Sequence, residues 1–600
     1  MKKRIIWLVS CLMVAALLLA SCGPAAVEEE EEVVTPEEEV VAEEEVVVTE
    51  EKEMVRDALG RLVEKPQYGG DFTIVSGSDV LGFDECIMTE WFAYTMNFTN
   101  DELLAGDWTK STTGSGETSW IAPAIFLPHM EVGCLAESWE MDEEKIVFHL
   151  RKGIHFHDKS PVNGREMTAD DVVFSIKRRF ETPGNYLNAI TPPEDRPTVT
   201  ALDKYTVVLT PAPGESTVGV FYVTADFARI VPPEMVELHG DLSDWRNACG
   251  TGPFLLVDYV AMSSITFVRN PDYWRKNPLH PEDTMPYVDG VKYLVIPDSS
   301  TRMSAMRTGK IDRLGVGWEN AADLLATNPE LEYNRYLSAV SSNIYMRLDK
   351  PDLPWEDIRV RHALHMAIDL QAIADDYYEG NAEILTHPVV PYPEFMDLVY
   401  PFEELPESTK ELFRYNPEKA KQLLAEAGYP DGFKTNIICS AGYADLLSIV
   451  KEYWWSNLGV DLILDVKETA VYQSYHIRKK HEEMLIAYMD NGQFHTGTYF
   501  HTGDALNASQ VSDERMDRLF EELKDNKFDW DWLTRNWQEV TPHILEQAWS
   551  IEMPTPYSFV TWQPWVKDYH GESTIGFLNL GGDYAKYLWL DQDLKEAMGH

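Results

Sequence analysis

Lys145-Ile146-Val147-Phe148-His149-Leu150, followed after a short polar stretch by Thr168-Ala169-Asp170-Asp171-Val172-Val173-Phe174-Ser175-Ile176, is the passage that decides the architecture. The first run alternates with period two, as a half-buried strand does. The second opens on a Thr with an acidic first turn before an apolar run, the pattern of a capped helix start. Strand-like and helix-like segments alternate in the same way along most of the chain, which predicts mixed α/β domains. Gln67-Tyr68-Gly69-Gly70-Asp71-Phe72-Thr73-Ile74-Val75 reads as a strand after a Gly pair. Val360, Ala363, Leu364, Ala367 and Ile368 share one helical face. Asn416-Pro417-Glu418 starts another helix, with Ala420, Leu423, Leu424 and Ala427 as its stripe and Gly428 as its stop.

The N-terminus has a different composition. Met1-Lys2-Lys3-Arg4 is a basic head, and residues 5–19 are apolar except for Ser10 and Cys11. That run is about 15 residues, short of the roughly 20 a bilayer demands. Leu19-Ala20-Ser21-Cys22 follows, so residues 1–21 read as a secretory signal. The Cys after small residues resembles the bacterial lipobox and implies that Cys22 becomes a lipidated N-terminus. The expected location is therefore extracytoplasmic, anchored to the cell membrane. Residues 23–53 hold fourteen Glu, one Lys and no aromatic, and residues 22–66 are expected to be an acidic, disordered tether.

The formal net charge is −49. The head carries +3 and residues 23–53 carry −13, which leaves −39 on the rest of the chain. A nucleic-acid binder needs a basic footprint, so that class is disfavoured, and repulsion at this level favours a monomer. Past the signal and Cys22 the cysteines are Cys86, Cys134, Cys249 and Cys439. They have neither a C-x-x-C nor a zinc-site spacing, and disulfides and buried thiols are both open.

Enzyme signatures are missing: no G-x-S-x-G, H-E-x-x-H, G-x-x-x-x-G-K-[ST] or G-x-G-x-x-G occurs. No catalytic residue and no cofactor is expected. His155-Phe156-His157 would set two imidazoles on one strand face, which a metal could use, but a polar strand face with Phe156 in the core is the favoured reading. His495 and His501 sit in a duplicated His-Thr-Gly motif and are the alternative metal ligands. Aromatics among polar residues, including Trp318, Tyr345, Tyr488 and Phe494, suggest a cleft with apolar walls and polar anchors.

Several motifs are recognisable. Leu135-Ala136-Glu137-Ser138-Trp139-Glu140, Phe148 to Asp158, Gly250-Thr251-Gly252-Pro253-Phe254, Arg269-Asn270-Pro271-Asp272-Tyr273-Trp274, Gly309-Lys310-Ile311-Asp312 and Arg359-Val360-Arg361-His362-Ala363-Leu364 occur in order. Together they resemble family 5 extracellular solute-binding proteins, the oligopeptide-, dipeptide- and nickel-binding components of ABC importers. The resemblance implies a two-lobed, type II periplasmic-binding-protein-like α/β fold with a hinge and an extra inserted subdomain. It implies a first lobe of residues 67–104, 236–340 and 554–600, an insert of 105–235 and a second lobe of 341–553. It also implies a peptide or similar small polar solute as ligand, and an ABC permease with its ATPase as partners. Peptide-binding members offer a carboxylate from a loop that corresponds to Ala487-Tyr488-Met489-Asp490-Asn491-Gly492. Asp490 keeps that carboxylate, while the neighbouring aromatic and an Asp-Pro are missing. Asp490, Asn491, Tyr488, Trp318, Tyr345 and Phe494 are the expected ligand contacts. The Ser/Thr/Gly-rich residues 107–120 look like an added loop without an assigned role.

Overall fold

The computed structural model describes residues 52–600 apart from 88–94, 122–127, 184, 186, 189–190, 493–495, 505 and 577–581. Cys22, the signal, most of the acidic segment, Phe494 and His495 lie outside the described residues. Residues from Glu53 to His600 form one compact unit.

Five strands make the sheet of the second lobe, in the order Asp461–Lys467, Lys434–Ser440, Met484–Asp490, Val340–Met346 and Ser550–Glu552. The first three run parallel to one another, and Val340–Met346 is antiparallel to Met484–Asp490 with Val340 opposite Asp490. Helix Ile358–Met366 buries Val360, Ala363 and Leu364 against this sheet, and Ala367 and Ile368 continue the same core. Helix Pro417–Glu426 follows its expected chemistry: the Asn416 side chain accepts from the Lys419 N–H, Ala420 and Leu424 are buried, and Gly428 takes φ +100°. Trp454 is wholly buried there, with its indole N–H on the Leu364 carbonyl at 2.9 Å. Truncating such a side chain costs about 3–5 kcal/mol.

Two larger sheets belong to the first lobe. One is Phe254–Val260, Ser264–Arg269, Gly290–Val295 and Asp71–Ser76, with the last pair parallel. The other is Arg313–Gly317, Thr555–Trp562 and Glu332–Leu337, all antiparallel. Asp312 joins them, since its backbone N–H donates to Thr73 O at 2.8 Å and its carboxylate accepts from Thr73 N–H at 2.7 Å. A third sheet, Ala136–Met141, Ile146–Leu150, Thr206–Thr210 and Thr198–Asp203, is the antiparallel platform of the insert. Ile146, Phe148 and Leu150 face inward there as the period-two pattern requires. Helix Ala169–Glu181 begins at Thr168, whose N–H donates to the Asp171 carboxylate at 2.7 Å.

The chain passes between the lobes on two short connections. Glu332–Leu337 leads through Ser338 and Ala339 into Val340–Met346, and Ser550–Glu552 leads through Met553 and Pro554 into Thr555–Trp562. Ala382–Glu383 adds a third link by pairing with Thr555 and Pro556.

Two expectations need correction. The acidic segment does not stay unstructured up to residue 66, because Met54–Arg56 and Leu62–Glu64 pair as an antiparallel hairpin. The hairpin docks: Ala58 N–H donates to Leu279 O at 2.8 Å, Arg61 donates to the Thr113 and Gly114 carbonyls, and Asp57 is buried. His155 and His157 also diverge instead of sharing a face. His155 is exposed on Gly164 O at 2.7 Å, while buried His157 reaches Gly252 O at 3.0 Å, so both imidazoles serve the backbone. The four described cysteines are buried free thiols, and burial raises Cys86, Cys134, Cys249 and Cys439 above the ordinary thiol range. No helix among the described residues is long and apolar enough to cross a membrane.

Candidate ligand-binding site

The three parallel strands of the second lobe end on one sheet edge, the edge at which Val340 enters from the first lobe. Open α/β sheets bind ligands at the carboxyl ends of their strands, which makes this edge the candidate site. Asp490 closes Met484–Asp490 there, half-buried, with Oδ1 accepting from Gly492 N–H at 2.9 Å. Its own N–H donates to the Tyr499 hydroxyl at 3.1 Å.

Tyr488 and Tyr499 stand next to it, and further phenols pack around that strand. Tyr488 is 37 % exposed and its ring makes a T-shaped contact with His476, centroids 5.0 Å apart. Tyr345 lies beneath, its hydroxyl on the Tyr488 carbonyl at 3.2 Å. Tyr443 bonds to Ser342 and Tyr472, and the Tyr472 hydroxyl donates to Ile486 O at 2.9 Å. Burial pushes Tyr345, Tyr443, Tyr472, Tyr488 and Tyr499 above the usual phenol range. They therefore stay neutral at physiological pH and act as hydroxyl donors or apolar walls. A half-buried carboxylate beside neutral phenols can hold a cationic group and pack the apolar parts of a small solute.

Of the residues expected to touch ligand, Asp490 and Tyr488 are brought together at this edge. Tyr345 and Asn491 turn inward. Asn491 is wholly buried, with its amide on Thr386 and Ser341 and its backbone on Ala339 and Val390, so it fixes the loop after Asp490. Trp318 begins helix Trp318–Thr327 and rests on Tyr377 and Tyr378, with centroids at 6.1 and 5.4 Å, across the junction of the lobes. His501 stacks on Phe520 at 4.1 Å and faces Asp517 and Glu521 at 3.9 and 3.7 Å.

A second set of contacts, unforeseen from sequence, spans the lobes. Glu394 Oε1 accepts from Thr118 Oγ1 at 2.9 Å, Ser119 N–H at 2.7 Å and Ser119 Oγ at 3.1 Å. Beside it Trp530 stacks on Phe395 and meets His129 edge-on. Lys527 lies 4.5 Å from the Tyr222 ring centroid, and Phe528 meets Phe221 edge-on. Burial pulls Lys527 down to about 8. The added loop therefore presents two hydroxyls and an N–H to the second lobe. A groove of about 800 Å³, lined by Asp107, Arg151, Lys152, Trp274 and Lys276, is built only from residues 107–278 and receives nothing from the second lobe.

Two lobes on short connections, with a polar-aromatic edge at their junction, define a solute-binding protein. Residues 132–510 match the middle region of the bacterial extracellular solute-binding proteins, family 5. The chain belongs to that family. It is 31% identical over 323 residues to Heme-binding protein A of Haemophilus influenzae, an alignment covering 50% of this chain and 54% of that one. It is 27% identical over 466 residues to Di/tripeptide-binding protein 1 of Pseudomonas aeruginosa, covering 73% and 82%. Among solved structures, HbpA2 from Haemophilus parasuis superposes with a TM-score of 0.67 at 21% identity, covering 85% of this chain and 99% of that one. The Helicobacter pylori periplasmic binding protein DppA, in complex with peptide STSA, gives 0.63 at 23%, covering 88% and 99%. At those identities the superpositions establish the two-lobed fold.

Proposed function

We propose that this chain is the extracytoplasmic receptor of an ABC importer, held to the membrane by a lipid on Cys22, and that it carries a peptide or similarly sized polar solute without altering it. The first lobe would comprise residues 67–104, 236–340 and 554–600, the insert 105–235 and the second lobe 341–553. The observation that carries the solute assignment is Asp490, a carboxylate at the carboxyl edge of the second-lobe sheet among neutral phenols. It suits the free amine of a short peptide, and Tyr488 offers the adjoining ring. Solute entry favours the closed state only through contacts made there, and the Glu394 bridge to Thr118 and Ser119 is a contact between lobes of that kind. The closed form would dock on a permease and its ATPase. Relatives named di/tripeptide-binding proteins, aligned over most of their length, support the peptide reading. The heme-binding relative makes haem the second candidate.

Native mass spectrometry of gently purified protein identifies the carried molecule. Calorimetry on stripped protein then follows, with di- to tetrapeptides in one arm and hemin, read by its visible absorption, in the other. Peptide binding that weakens in Asp490→Asn supports the reading. Saturable hemin binding with silent peptides replaces it with haem, and a chemically altered solute overturns the role of carrier.

A further inference from the structure

We propose that His280, Glu282 and Asp283 form a binding site for one divalent ion of the zinc class on the first lobe, apart from the site of the carried solute. The three residues sit in the loop Asn277-Pro278-Leu279-His280-Pro281-Glu282-Asp283-Thr284. Its backbone closes on itself: Asn277 N–H reaches Asp283 O at 3.2 Å, His280 N–H reaches Asn277 O at 3.2 Å and Asp283 N–H reaches His280 O at 2.9 Å. The Asn277 side chain holds Leu279 N–H at 2.9 Å. This folding gathers one donor atom from each of the three side chains within 4.8 Å of one another. A point equidistant from three such atoms lies no more than about 2.8 Å from each, and small rotations bring it to the roughly 2.0–2.2 Å of zinc–nitrogen and zinc–oxygen bonds.

A separate observation points to a ligand. His280 is 3 % exposed, and its Nδ1 is buried without a hydrogen-bond partner. A buried ring nitrogen left in that state is costly. The atom faces Glu282 Oε1 at 3.8 Å, too long for a hydrogen bond but close to the separation of two ligands on one ion. Asp283 has the support a ligating carboxylate needs. Tyr287, itself buried, donates its hydroxyl to Asp283 Oδ2 at 3.1 Å and accepts from Asn277 Nδ2 at 3.1 Å. The nearby ammonium of Lys276 is engaged by the Glu282 carbonyl and the Thr284 hydroxyl.

The donor set selects the ion. One imidazole with two carboxylates suits zinc and its transition-metal neighbours, whereas calcium and magnesium prefer shells of oxygen alone. Two carboxylates and a neutral imidazole balance a dication. The Glu282 side chain is 63 % exposed, so water can complete the shell. The role follows from the neighbours: Leu279 O receives the Ala58 N–H of the N-terminal hairpin, and Tyr68 exchanges hydrogen bonds with Thr284. An ion here would fasten the loop on which that hairpin rests.

The test uses the full protein stripped with a chelator, titrated with zinc chloride in a calorimeter and with cobalt chloride in a spectrophotometer. One equivalent of zinc should bind, cobalt should give visible absorption bands, and zinc should protect the loop from proteolysis. Glu282→Gln, an isosteric change at an exposed side chain, should weaken zinc by at least about tenfold, as Asp283→Asn and His280→Gln should. Glu282→Gln keeps the test decisive if the buried His280 variant fails to fold. Zinc binding that is unchanged in all three variants overturns the site, as does the absence of one-to-one binding in the unaltered protein. Binding of calcium in preference to zinc overturns the assigned class.

Discussion

Replacing Glu131 with glutamine should change how stability responds to pH. Glu131 opens the strand Glu131–Gly133, buried beside Asp226 with Glu102, Asp107 and Asp583 close by. Burial first, and the neighbouring carboxylates after it, hold its carboxyl up to about 8, against 4.5 for an exposed glutamate. Above pH 4.5 the folded protein keeps a proton that the unfolded chain releases. The stability this group contributes is complete below pH 4.5 and is lost as pH rises to about 8. Well inside that window each pH unit costs about 1.4 kcal/mol and the slope halves at pH 8, so the step from pH 6 to 8 removes about 2.3 kcal/mol at Glu131. Glutamine keeps the shape and has no such proton. Glu131→Gln should therefore gain about 2.3 kcal/mol on the unaltered protein between pH 6 and 8. Urea denaturation of both proteins at pH 6, 7, 8 and 9 measures it. Glu552 and Glu572, held up to about 7 by burial, titrate in both proteins and cancel in the difference. Parallel stability curves for the two proteins would refute the reasoning.

Four further outcomes are expected. Glu394→Ala removes three hydrogen bonds to a carboxylate, worth about 1.5–3 kcal/mol, and should weaken solute affinity about 10- to 100-fold in calorimetry while leaving the melting temperature of stripped protein nearly unchanged. A chain beginning at Gln67 should melt several degrees below one beginning at Glu53, because it loses the docked hairpin; equal melting would show that the hairpin contributes nothing. Asp490→Asn should cost about 2–5 kcal/mol in binding of a cationic solute with the circular dichroism spectrum unchanged, and equal affinity would remove Asp490 from the site. Cys22→Ala should abolish incorporation of a fatty-acid probe, and continued labelling would rule out the lipid anchor on that residue.

Local chemistry was legible and long-range pairing was not. The helix at Pro417–Glu426 could be read from the Asn416 cap, the Pro at its first position and the Gly428 stop, all within a dozen or so residues. The hairpin at residues 54–64 could not. Its two strands have three residues each, and its anchors, Thr113 and Leu279, lie far along the chain. At the candidate site, the motif around Asp490 singles out that carboxylate. Tyr443 and Tyr472 join it only because parallel strands end on the same edge. Glu394 is one acidic residue among many in this sequence, and only folding sets it against Ser119.

The short passages between the lobes restrict more than topology. Ser338-Ala339 and Met553-Pro554 are two-residue links between strands already locked into sheets at both ends, and Pro554 has a fixed φ. Such links cannot lengthen, so they resist sliding and tolerate turning. The pairing of Ala382–Glu383 with Thr555 and Pro556 narrows the freedom further. What remains is close to a single angular coordinate. If solute closes the lobes as proposed, occupancy is carried by the angle between them, which a partner touching both lobes could sense without contacting the solute.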